Sequence, residues 1–214
     1  MSSSTPGAAA PAPDFARRFW DAAYARGEDR THWHREPPDA ALARLLAAGA
    51  PSERGPIVLD VGCGTGAEAR WLTRRGHSVI ALDLSLQALS RRPRGARDLP
   101  RRRWLPVAGS VLELPVADGA AGLVLDAGCL HSIGRASRAR YARELARVTA
   151  PGSRVLIRGA RFDCEEEGVL AVDAQECRRW FGAAFEVEWE MAFELAAAAG
   201  ALDGVAVLLR KREA

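Results

Sequence analysis

The sequence predicts an α/β protein: a largely parallel, doubly wound sheet with helices on both faces. Three observations carry that expectation. Residues 58–85, VLDVGCGTGAEARWLTRRGHSVIALDLS, run as apolar strand, glycine-rich turn, helix, second apolar strand and acid. Apolar runs then alternate with helical patterns as far as residue 159. Two strand-like segments close the chain with no helical pattern between them, most simply as an antiparallel hairpin at one edge. Strands alternating with helices point to a parallel sheet covered on both sides.

Taken in order, Phe15 to Arg26 has the spacing of an amphipathic helix carrying Phe15, Phe19, Trp20 and Tyr24. The stretch EDRTHWHREPPD is turn-rich and sets Trp33 between two histidines. Asp39 is placed to cap a helix through Leu46 that stops at Gly49. Ile57 to Val61 is a short β-branched strand. The helix after the turn spans Ala67 to Arg75 and ends at Gly76. Strands follow at Ser78–Leu82, Trp104–Val107 and Leu123–Asp126. SRARYARELARVTAPG is a helix with a Pro-Gly stop, and Arg154–Gly159 is the next strand. Asp173 caps a short helix, DAQECRRWFG. Phe185–Leu195 and Gly204–Arg210 are the closing strands. No internal repeat and no second domain are expected.

The 214 residues suffice for one medium domain with a real core. Hydrophobic residues make up 48%, so a globular chain is expected. No apolar run approaches the roughly 18–20 residues that span a bilayer. Residues 1–14, rich in Ser, Ala and Pro, predict a disordered leader and lack the pattern of a secretion signal. A cytoplasmic protein is the expectation. The boundaries expected are leader 1–14, N-terminal helical lid 15–54 and core 55–214. The net charge is only +3, and Lys211 is the sole lysine. The segment SRRPRGARDLPRRRW packs seven arginines against one aspartate. Pro93, Gly95 and Pro100 break it, and no interleaved aromatics offer base stacking, so a solvated loop is expected rather than an RNA-binding surface. Cys63, Cys129, Cys164 and Cys177 form no C-x-x-C pair, which argues against a zinc site or a disulfide framework. No metal is expected.

The turn is Asp60-Val-Gly62-Cys-Gly64-Thr-Gly66. Glycines at alternate positions let the backbone bend sharply and approach a ligand without Cβ clashes. A dinucleotide fingerprint would space them G-x-G-x-x-G, with the pyrophosphate on the helix N-terminus. Here the third glycine comes one residue early, and Asp60 precedes the turn by two. A carboxylate there repels a pyrophosphate and suits an ammonium or a sulfonium. Asp83, ending the second strand, suits the two hydroxyls of a ribose. S-adenosylmethionine has all of these features.

VLDVGCGTGAEARWL followed by VIALDLS resembles the first and second motifs of the class I S-adenosylmethionine-dependent methyltransferases. LARVTAPGSRVLI is similar to the family's later helix-PG-strand block. FWDAAYARGEDRTHW and LVLDAGCLHSIGRASRARYARELARV resemble the lid and fourth-strand block of its small-molecule branch, akin to thiopurine and tellurite methyltransferases. The resemblance covers about Trp20 to Arg212. It implies a Rossmann-like, seven-stranded sheet in order 3-2-1-4-5-7-6 with the last strand antiparallel, behind an N-terminal helical lid. It further implies that Asp60, Gly62, Gly64 and Gly66, with Cys63 between them, hold the methionine part of the cofactor. Asp83 would take the ribose hydroxyls, with Leu84 against the adenine. Ser110 stands where an aspartate usually meets the adenine amine; its hydroxyl can accept without charge, and the Val111 backbone would share the task. Ala121-Gly122 replaces the family's usual Phe-Asp.

Methyl transfer from a sulfonium is an in-line displacement, and a base is needed only where the acceptor holds its proton. Ligands of open α/β sheets sit outside the carboxyl ends of the strands, where Asp126 to His131 belong. His131 is the candidate general base, with a hydrogen-bonded wall residue as its alternative. Asp126 would meet the methionine ammonium or the acceptor, with a strand-end cap as its alternative. Trp20, Tyr24 and Trp33 would close over the cofactor, since aromatic faces favour a sulfonium. No [DN]-P-P-[YF] turn follows the fourth strand, so a nucleic-acid substrate is not expected. The expected partner is a small-molecule acceptor methylated at O, S or N. The rival readings are an RNA methyltransferase, motivated by the arginine run, and a non-catalytic S-adenosylmethionine-binding protein. Nothing in the sequence speaks to oligomeric state.

Overall fold

The computed structural model describes residues 13–32, 36–49, 57–91, 99, 103–166, 168–197 and 200–213. Trp33, most of the leader and most of the arginine-rich segment lie outside them. The helices are α1 (Pro13–Arg26), α2 (Asp29–His32), α3 (Ala40–Ala47), α4 (Ala67–Arg74), α5 (Leu86–Ser90), α6 (Arg135–Val148) and α7 (Ala174–Phe181). The strands are β1 (Ile57–Val61), β2 (Val79–Asp83), β3 (Trp104–Ala108), β4 (Ala121–Ala127), β5 (Thr149–Ala160), β6 (Phe185–Ala197) and β7 (Gly200–Lys211). They form one sheet in the order β3-β2-β1-β4-β5-β7-β6, as expected. β1 to β5 pair in parallel, and β7 runs antiparallel between β5 and β6.

Two cores, one on each face, hold the layers together. On one face Leu42 and Leu45 of α3 and Leu72 of α4 pack on Val58, Leu123, Leu125 and Leu156. On the other, Tyr141 and Leu145 of α6 and Phe181 of α7 pack on Leu59, Val61, Val124 and Ile157. Alternate strand residues therefore enter alternate cores, the period-2 pattern of strands buried on both sides. The same alternation sorts the polar residues at the strand ends. Asp60 pairs in register with Leu125, and Asp126 pairs with Val61. Asp60 thus points to the α3–α4 face and Asp126 to the α6–α7 face.

Several elements differ from expectation. The first helix starts at Pro13, inside the expected leader. α2 forms in the stretch expected as turns, with the acid Asp29 in its first turn. α5 was not expected; Ser85 caps it by accepting from the Ala88 N–H at 3.0 Å. β5 begins directly at Thr149, so the Pro-Gly pair ends the helix and opens a strand rather than a loop. α3, placed in the lid by the sequence, is part of the layer covering the sheet, because Ala41, Leu42 and Leu45 are buried against it. The Asp39 and Asp173 caps form as expected, accepting from Leu42 N and Glu176 N, each at 2.8 Å.

Candidate functional site

The site is built where β1 and β2 end side by side. Beyond Val61 the chain turns through Gly62, Gly64 and Gly66 at φ +64°, +56° and +75°. L side chains rarely adopt these angles. At Gly62 a Cβ would also lie 2.8 Å from the Cys129 Cβ, so the turn packs against the segment that follows β4. The Cys63 N–H donates to Leu82 O at 3.0 Å, tying the turn to β2. Arg70 of α4 donates to Thr65 O across the turn.

Asp83 closes the junction. Its carboxylate accepts from Gly64 N at 2.7 Å and Ser85 N at 2.8 Å. A carboxylate offers about four acceptor positions, so these two bonds fix it while leaving capacity for a ligand's hydroxyls. Burial pushes its pKa up, and the two N–H donors oppose the rise. Leu84 follows it, half-buried. The next loop is held to the same point by Gly109 N donating to Asp83 O at 3.0 Å. There Ser110 Oγ accepts from Leu112 N at 3.2 Å, and Val111 packs on the core beside it.

Asp60 is buried on the same face as Asp83. Burial pushes its pKa well up, the carboxylates of Glu68 and Asp83 push the same way, and Arg158 opposes them. Arg158 was not anticipated from the sequence. It leaves β5 on the α3–α4 face with 2% exposure and donates to Glu68 through Nη1 and, at 2.6 Å, Nη2. It also donates to Asp39 Oδ2 at 2.7 Å. One guanidinium thus joins the sheet to the first turn of α4 and the cap of α3. The signal was a lone arginine inside the apolar run 155–160, VLIRGA. The thiols of Cys63 and Cys129 stand beside these carboxylates, and burial together with the carboxylates pushes both well up. They are neutral thiols, not thiolates.

The N-terminal helix reaches this junction. A Cβ at Gly64 would lie 2.5 Å from the Tyr24 Oη, so the hydroxyl rests on the turn. Asp21 Oδ1 accepts from Ser85 Oγ at 2.6 Å and from Gln87 N at 3.1 Å, docking α1 onto α5. Trp20, one turn before Tyr24, is half-buried and edge-on to Phe19 at 5.2 Å. Trp33 lies outside the described residues.

Asp126 and His131, each expected in one of two roles, make the contacts of their structural alternatives. Asp126 takes the strand-end role. It is fully buried on the opposite face from Asp60 and accepts from Cys129 N at 2.8 Å, Leu130 N at 3.0 Å and the Tyr141 hydroxyl at 2.6 Å. Burial raises its pKa to about 6, with the Tyr141 hydroxyl the first group opposing the rise. Full burial and three internal donors tie it into the end of β4 and the segment that follows.

His131 makes the hydrogen bond of a wall residue. It lies in a short 3₁₀ turn, Leu130–Ser132, and its Nδ1 accepts from the Ala160 N–H at 3.2 Å. The tautomer assigned from that bond carries its proton on Nε2, so the outward nitrogen is a donor. Burial, with the nearby Arg138 cation, lowers its pKa to about 4.

Of the arginine-rich segment, the described members are engaged locally. Arg91 pairs with Asp29 at 3.2 Å, and Arg103 donates to Gly76 O at 2.8 Å. Among the described residues no cluster of His, Cys, Asp and Glu could hold a metal. Among them, too, no helix is long and apolar enough to cross a membrane.

Known proteins resemble this chain in sequence and in fold. Residues 59–157 match a family described as a methyltransferase domain. Thiopurine S-methyltransferase of Stutzerimonas stutzeri is 28% identical over 75% of this chain and 74% of its own. Demethylmenaquinone methyltransferase of Thermobifida fusca is 37% identical, but over 48% of this chain and only 43% of its own length. In three dimensions, 1,6-didemethyltoxoflavin-N1-methyltransferase of Burkholderia thailandensis, solved with its substrate and S-adenosylhomocysteine, overlays with a TM-score of 0.70 at 21% identity. That overlay covers 96% of this chain and 93% of the other. With its glycine turn, its strand order and its matched domain, the chain carries a methyltransferase domain and is similar to S-adenosylmethionine-dependent methyltransferases.

Proposed function

We propose that the protein transfers a methyl group from S-adenosylmethionine to an O, S or N atom of a small molecule. The observation that carries this reading is the convergence of Asp60 and Asp83 on one face of the glycine turn. Buried carboxylates raised by burial, as both are, favour a ligand that brings positive charge and hydroxyl donors. The donor set therefore fits this cofactor. When bound, the cofactor supplies an electrophilic methyl group on a sulfonium.

The chain's own residues do the rest. Asp83 receives the ribose hydroxyls with its remaining acceptor capacity. Asp60 and the turn at Gly62, Gly64 and Gly66 hold the methionine portion, with Cys63 as a small neutral filler. Leu84 covers the adenine, and Ser110 and the Val111 backbone meet its edge. α1 and α2 form the lid; Tyr24, with Trp20 in support, excludes water above the turn. Holding nucleophile and methyl in line is where such an enzyme gains most of its rate. A small acceptor is favoured because relatives of this chain are named for thiopurine and demethylmenaquinone, and the described arginines of the basic segment are taken up in local contacts.

The test is transfer of labelled methyl from S-adenosylmethionine to phenols, thiols, heterocyclic amines, halide and total RNA, with Asp83→Ala in parallel. Label on a small acceptor, with cofactor affinity lost in Asp83→Ala, is the expected result. Label on RNA alone overturns the acceptor class. Tight cofactor binding by Asp83→Ala overturns the ribose assignment.

A further inference from the structure

His131 occupies a place built for an imidazole. A Cβ on Gly128 would stand 3.1 Å from its Nε2, and a Cβ on Gly159 would stand 3.1 Å from its Nδ1. The ring therefore lies in a slot between two glycines, at the carboxyl ends of β4 and β5. Gly128, at φ +90°, also holds a backbone angle that disfavours any other residue. The segment that carries His131 is pinned from both sides. Leu170 N donates to His131 O at 2.8 Å, and Arg138, itself paired with Glu176 at 3.1 Å, donates to Leu130 O at 3.3 Å.

Within the slot the two ring nitrogens differ. Nδ1 is committed as an acceptor of the Ala160 N–H. Nε2 has no hydrogen-bond partner among the described residues, and the residue is half-buried rather than sealed in the core. Moving the ring proton to Nδ1 would set two N–H groups against each other. A free Nε2 lone pair, which a general base needs, is thus disfavoured by the backbone itself. The charged group facing the ring is Arg138 of α6, which disfavours a second proton.

We propose that His131 is a permanently neutral hydrogen-bond donor that orients the methyl acceptor through Nε2–H and takes no proton from it. This deepens the reading above and rests on it. The acceptor then presents a hydrogen-bond-accepting atom to Nε2. Its nucleophilic lone pair is free at neutral pH, as in an anion or an uncharged nitrogen. The methyl–sulfur bond breaks as the new bond to that lone pair forms, and no proton passes through the histidine.

Two readouts test the proposal. In histidine-¹⁵N-labelled full-length protein, the His131 signals should show an unprotonated Nδ1 and a protonated Nε2, unchanged from pH 5.5 to 8. A proton on Nδ1, or a titration near pH 6.5, overturns it. The second readout is transfer by three proteins to the acceptors of the labelled panel. His131→Asn keeps an acceptor for the Ala160 N–H and removes the outer donor; kcat/KM should fall roughly ten- to a hundredfold with cofactor affinity unchanged. His131→Gln reaches the Nε2 position with an amide N–H and should retain most activity. Both variants equally inactive, with a wild-type rate that falls away below pH 7, would make His131 a base and sink the idea. If wild type labels no small acceptor, the acceptor reading fails instead, and the NMR spectrum still decides the state of His131.

Discussion

Arg158 clasps Glu68 with two guanidinium nitrogens, from the end of β5 to the first turn of α4. The same side chain reaches Asp39, so a single cation serves three elements around the glycine turn. With 2% exposure it is paired where water cannot stand in for a lost partner. Removing one member of a buried pair strands the other charge. Arg158→Met should therefore cost about 3–5 kcal/mol in denaturant unfolding, far more than an exposed ion pair. Arg154→Met, which breaks the more exposed Arg154–Glu188 pair, should cost about 1 kcal/mol or less. Equal losses would show that Arg158 is solvated in solution.

Asp126 makes stability depend on pH in a direction that can be worked out. Its folded pKa is about 6, above the ordinary 3.8. Between those values the folded state binds more protons than the unfolded state. Its contribution is fully present below about pH 4 and is lost as pH rises through about 6, a span worth about 3 kcal/mol. Asp126→Asn cannot titrate. Urea unfolding from pH 4 to 7 should show wild type losing stability relative to this variant as pH rises. Parallel curves would place the ordinary pKa on Asp126.

Gly62 and Gly49 both sit at positive φ, +64° and +81°, but only one is crowded. A Cβ at Gly49 meets nothing within 4 Å, while at Gly62 it lies 2.8 Å from the Cys129 Cβ. Gly49→Ala should cost only the backbone term, roughly 1–2 kcal/mol. Gly62→Ala adds a clash inside a packed junction and should cost roughly 1–3 kcal/mol more. Thermal unfolding of the two variants measures the difference. Matching losses would mean that the turn and the Cys129 segment move apart freely.

Elements with strong local signals were legible in the sequence. β1 was readable at both ends because Pro56 and Gly62 bound a β-branched run, and α3 and α7 because Asp39 and Asp173 announce them. α5 escaped because five residues carry too little periodicity, although Ser85 was its cap. The tight turn and its junction with Asp83 were readable because three alternate glycines leave few backbone paths. Asp126 stayed between cofactor contact and strand-end cap, since its face depends on register with β1 rather than on its own neighbours. Arg158 was hidden by an arginine-rich composition. The proton position on His131 depends on the Ala160 N–H, 29 residues away, which no local pattern reveals.

α1 is latched to Asp83 by a chain of three residues. Asp21 Oδ1 accepts from Ser85 Oγ, and the Ser85 N–H donates to Asp83 Oδ1. The Tyr24 hydroxyl, one turn further along α1, rests on Gly64. Asp21→Ala should leave most of the fold intact, since the contact is peripheral to both cores. It should instead let α1 lift from the turn. S-adenosylhomocysteine should then bind roughly tenfold more weakly, with the change in the dissociation rate rather than in association. Ser85→Ala should remove the same contact together with the α5 cap. The double variant should therefore lose less than the sum of the two single losses. Stopped-flow displacement of the bound cofactor product reads each rate directly. Additive losses would separate Asp21 from Ser85, and unchanged dissociation would remove α1 from the closure of the site.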